Sequence, residues 1–89
     1  MTKELQEAMT QLANKKPHTQ HMIKLGEEST ELATEVFKCI GANFQNGNRF
    51  VLEEMADVLN TIDIYLESIG VSKDELDTYR LAQVKKHLK

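Results

Sequence analysis

One cysteine, one proline and no tryptophan occur among the 89 residues, and each scarcity excludes a class of protein. A single thiol, Cys39, cannot close an intrachain disulfide, so a secreted disulfide scaffold is excluded and a reducing cytoplasm is the expected setting. His18, His21 and His87 form no zinc pattern with that lone cysteine. Strand signals are missing, because no run alternates β-branched and polar residues between turns. No segment approaches the roughly 20 apolar residues that cross a bilayer. The opening MTKELQEAM is polar and helix-like, without the apolar core of a signal peptide, so neither membrane nor export is expected. Excess positive charge is also lacking. The net charge is −3, and the only basic cluster is Lys85, Lys86, His87 and Lys89, which reads as a solvated last helical turn rather than a nucleic-acid patch. There is no glycine-rich phosphate loop and no EF-hand loop.

What is present is an ordinary globular composition, 40% hydrophobic and 28% charged, in one domain spanning residues 1–89. A chain this short buries only roughly 60–65% of its unfolded surface, so self-association is expected. The apolar periodicity predicts helices throughout. The first covers about residues 2–14, with Leu5, Met9 and Leu12 on one face. Pro17 suits the first turn of a second helix reaching about Ile40, with Gly41 as a left-handed stop. GANFQNGN (41–48) has loop chemistry. A third helix, about 49–69, carries the stripe Val51, Met55, Val58, Ile62, Tyr65 and Ile69, widened by Leu52, Leu59 and Leu66, and Gly70 closes it. Ser72 with Glu75 forms a capping box that starts a fourth helix at Lys73. The predicted fold is all-α, a four-helix bundle shared across a dimer.

The acids interrupt this pattern. On a wheel of about 100° per residue, Leu25, Glu28, Leu32 and Cys39 share one sector, with Glu35 beside them, Glu31 one step away and Glu27 on the flank. A carboxylate on an apolar face is costly unless a basic side chain, a proton or a metal ion meets it. Lys24, one turn before Glu28, offers an i, i+4 ion pair. The third helix repeats the motif in EEMAD (53–57), where Glu54 lies at the stripe's edge and Asp57 further toward the polar side. Two such pairs on antiparallel helices converge four carboxylates, which repel unless neutralised. Hard divalent cations with oxygen ligands meet that need, and Mg²⁺ commonly binds through a few carboxylates plus substrate phosphates. A di-iron bundle would need Glu-x-x-His, which is absent. His21 shares the sector of Leu25 and Glu28 and reads as a packing residue.

KLGEESTEL followed by EEMADVL resembles the MazG-like all-α nucleoside triphosphate pyrophosphatases, which include the dimeric dUTPases and phosphoribosyl-ATP pyrophosphatase. The resemblance spans about residues 23–66. It implies that Glu28, Glu31, Glu54 and Asp57 hold Mg²⁺, with Mn²⁺ as a substitute. It implies hydrolysis of a nucleotide between its α- and β-phosphates, giving a monophosphate and pyrophosphate. Either Glu27 or Glu53 would orient or deprotonate the attacking water. Asn60, Lys73, Arg80 and Lys85 are candidate phosphate or ribose contacts. The family's size range implies a homodimer or homotetramer. Phosphoribosyl-ATP as substrate, and a non-catalytic helical dimer acting as a binding or regulatory module, are the alternatives.

Overall fold

The computed structural model describes residues 2–41 and 48–88, all helical apart from short connections. Four helices follow one another: α1 (Lys3–Lys15), α2 (His18–Gly41), α3 (Asn48–Ile69) and α4 (Lys73–His87). No strand occurs among the described residues, and no helix is long and apolar enough to cross a membrane.

Local chemistry sets the ends. Thr2 caps α1 by accepting a hydrogen bond from the Leu5 amide at 3.1 Å. Lys16 is extended, as a residue before proline prefers. The Pro17 carbonyl then accepts from the Gln20 amide at 3.0 Å and opens α2. Gly70 ends α3 with φ 71°, the left-handed conformation that glycine adopts without steric penalty. Its amide donates to Glu67 O, and the Val71 amide donates to Leu66 O at 3.0 Å, which together make a Schellman motif. The Ser72 hydroxyl accepts from the Glu75 amide at 3.2 Å, so the predicted cap of α4 forms. Gly41 departs from expectation: it stays helical as the last residue of α2. The rest of the loop proposed at 41–48 lies mostly outside the described residues.

Helix α3 is central, packing against α2 and α1. The inward positions of α2 include His21, Leu25, Glu28, Leu32, Glu35 and Cys39; those of α3 include Val51, Glu54, Val58, Thr61, Tyr65 and Ser68, with Ile62, Asp63, Ile64 and Leu66 half-buried beside them. Both sets alternate steps of three and four, the seam of two helices packed at a shallow angle. The predicted stripe is thus covered in part: Val51, Val58, Ile62, Tyr65 and Leu66 are half-buried, and the seam extends past its edge. Met55 is 44% exposed, whereas Glu54 and Thr61 turn inward. Among the described residues only Met9, Ala13 and Cys39 are buried apolar residues, and none of their side chains is completely enclosed. Cys39 is a packed free thiol. Helix α4 has no buried residue, and only Leu76 is half-buried. Packing within one chain is thus that of three helices, and a four-helix bundle would require α4 to be covered.

Candidate functional site

The antiparallel seam of α2 and α3 carries acids at its middle. Glu28 is 6% exposed, Glu54 is half-buried and Asp57 is exposed. One carboxylate oxygen from each lies within 4.8 Å of the others. Glu28 Oε2 and Glu54 Oε2 are shielded from solvent and accept no hydrogen bond. Buried acceptors without partners are rare, because each forfeits its hydration without replacement. Glu31 is exposed and stands outside this trio, but its charge acts on Glu54.

Charge at the site is unevenly compensated. Lys24 Nζ lies 2.8 Å from Glu28 Oε1 and 4.0 Å from Glu27. The hydrogen bond from Lys24 holds the Glu28 carboxyl below its ordinary value, against the opposing effect of burial. Lys24 is correspondingly raised. Glu54 has no such neighbour. Burial pushes it up, and the negative charges of Glu31, Asp57, Glu28 and Glu35 push it further. Three oxygen donors with two orphaned atoms fit a hard divalent cation such as Mg²⁺ or Mn²⁺, and no thiolate or imidazole lies among them to favour a softer metal.

A cleft of about 680 Å³ opens beside the acids, between the end of α1, the first half of α2 and the middle of α3. Glu27, Glu28 and Asp57 line it at one end, and Asn60 lies on its wall. Glu53, by contrast, is exposed and held by Arg49 Nε at 3.0 Å. The remaining candidates do not line the cleft. Lys73 pairs with Asp63 at 3.2 Å, Arg80 pairs with Asp77 at 3.2 Å, and Lys85 is exposed in the last turn of α4.

His21 packs as expected, buried, with Nε2 donating to the Ala13 carbonyl at 3.1 Å. That bond satisfies one of the last carbonyls of α1 and ties the end of α1 to the start of α2 across their turn. Sequence reasoning missed Lys15, Lys16 and Gln20, which also line the cleft. They reach it only because α1 and α2 meet at a sharp turn, and Pro17 is the one sequence signal of that turn. Comparison with family models, with curated proteins and with solved structures finds no match to this chain.

Proposed function

We propose that the chain is a divalent-cation-dependent nucleotide pyrophosphohydrolase of the cytoplasm. It cleaves between the α- and β-phosphates of a nucleoside or deoxynucleoside triphosphate and releases the monophosphate and pyrophosphate. The observation that carries this reading is the pair of buried, unbonded oxygens, Glu28 Oε2 and Glu54 Oε2, close to Asp57 and beside a cleft. Glu28, Glu31, Glu54 and Asp57 would hold Mg²⁺ or Mn²⁺, in keeping with the resemblance of EESTE and EMAD to the MazG-like enzymes. When bound, the cation neutralises phosphate oxygens and draws charge from the scissile bond.

The rest of the chemistry is positioning, as suits phosphoryl transfer. Leu25, Leu32, Val51 and Val58 flank the acids along the seam and hold them rigid. Glu27, on the cleft wall, is better situated than the Arg49-bound Glu53 to orient the attacking water. Asn60 faces the same space. Lys73, Arg80 and Lys85 act only if α4 is carried to the site, for which a second copy is the natural source. The reading accordingly includes a homodimer or homotetramer.

A specific observation favours a second reading, a non-catalytic helical dimer used as a binding module. Lys24 already supplies Glu28 with a cation. The test is product analysis of a panel of canonical and modified triphosphates, and phosphoribosyl-ATP, incubated with Mg²⁺. Monophosphate-type product and pyrophosphate are expected, both abolished in Glu28→Gln and Glu54→Gln with helicity retained. Diphosphate with free phosphate would mean a different bond. No product from any substrate, with no Mg²⁺-dependent rise in Tm, would leave the binding module.

A further inference from the structure

The cleft contains two kinds of unused surface. Its apolar wall is formed by Leu12, Ile23 and Ile64, and Leu12 and Ile23 are 47% and 62% exposed. Among its polar groups, His21 is committed to the Ala13 carbonyl and the Thr61 hydroxyl to the Asp57 carbonyl at 2.7 Å. The side-chain amides of Gln20 and Asn60 make no hydrogen bond among the described residues. Each amide presents a donor and an acceptor side by side. One comes from the first turns of α2, the other from α3, so they approach the cleft from different walls.

These features describe an occupant with apolar faces and a polar edge bearing both donors and acceptors. A bare phosphate chain would find Lys15, Lys16 and Lys24 on the same walls, but it would leave the aliphatic wall and both amides unused. A nucleobase fits: its faces pack on aliphatic walls, and its edge pairs with an amide in two-point fashion. We infer that this cleft is the nucleoside subsite and that Gln20 and Asn60 are specificity-determining residues that read the base edge. The inference rests on the nucleotide reading above. It orients the substrate, with the base toward the α1–α2 turn and the phosphates over Glu28, Glu54 and Asp57. Eight residues of α2 separate Gln20 from Glu28, about 12 Å along the helix, so one elongated ligand is needed to touch both.

The experiment is calorimetric titration of the whole chain with each common nucleoside monophosphate, and with inorganic triphosphate, in Mg²⁺. Wild type is compared with Gln20→Leu, Asn60→Leu and Gln20→Glu, with circular dichroism as a check on folding. The leucine variants are expected to lose about tenfold or more in affinity for the preferred base, the scale of one two-point contact. Gln20→Glu is expected to reorder the bases, because it replaces a donor with an acceptor. Inorganic triphosphate should bind all four proteins equally. Unchanged base ranking in every variant would overturn the assignment. So would weakened triphosphate binding in Lys15→Ala/Lys16→Ala, since the cleft would then hold phosphates. Failure of the underlying reading looks different: no Mg²⁺-dependent binding of triphosphate at all, and none for this subsite to extend.

Discussion

Glu28 and Glu54 sit side by side and respond to pH in opposite directions. Glu28 is shifted below its ordinary value of 4.5 by Lys24, so its contribution to stability is complete above that value and is lost as pH falls through the lowered one. Glu54 is shifted above 4.5 by burial and its acidic neighbours, so the folded state binds its proton more tightly than the unfolded chain. Stability is therefore expected to decline as pH rises from about 4.5 through the raised value of Glu54. Thermal melts across pH in the presence of a chelator measure this. Glu54→Gln should flatten the decline, and millimolar Mg²⁺ should reverse it by favouring the ionised carboxylates. A decline unchanged in Glu54→Gln would assign it to another group. The burial of these two acids was legible at this scale because helical periodicity alone sets Glu28 within the buried stripe and Glu54 at its edge. Whether Lys24 or a metal ion answers Glu28 was open in the sequence, and Lys24 does reach it.

Among the elements, helix ends were the most legible and helix faces the least. Gly70 and Ser72 carry unambiguous local chemistry, and both form the expected structures. Gly41 does not, because glycine permits a left-handed turn without requiring one. Helix α3 was read only in part, because it is apolar over a wide arc and hydrophobicity cannot say which side of that arc is covered within the chain. The covered face includes Glu54 and Thr61, and Leu52, Met55 and Leu59 are left outside at 61%, 44% and 60% exposure. The cleft wall was illegible, since it depends on how α1 folds back. Loss of the Ser72 cap tests the autonomy of α4. Ser72→Ala should cost about 1 kcal/mol of helix stability. Because α4 has no fully buried residue, the loss should appear as faster amide hydrogen exchange in α4, with protection of the α2–α3 seam unchanged. Equal loss in both would show that α4 unfolds together with the rest.

The molecule as a whole is too open for its size. It exposes 7063 Å², whereas a folded monomer of 10.2 kDa exposes about 5,300 Å². Its radius of gyration is 15.1 Å against about 12 Å for a compact chain of this length. The excess surface surpasses the roughly 800 Å² that each partner contributes to a standard interface. Homo-oligomerisation through the outer face of α3 and the apolar residues of α4 would remove it. The unfolding midpoint is then expected to rise with protein concentration, and Leu52→Lys/Leu59→Lys should shift sedimentation toward the monomer and lower that midpoint. A midpoint independent of concentration, with monomeric wild type, would rule out assembly.

The acids in the seam bear on the order in which the chain folds. Helices α2 and α3 are close in sequence and are expected to meet early by proximity alone. Their docking brings Glu28, Glu54 and Asp57 together before anything but Lys24 offsets the repulsion. A divalent cation held by these acids, as proposed, would therefore act on the encounter of the two helices as well as on the finished site. In kinetic terms, the seam would be a gate whose closing rate depends on cation concentration, and Mg²⁺ should accelerate refolding at least as much as it slows unfolding.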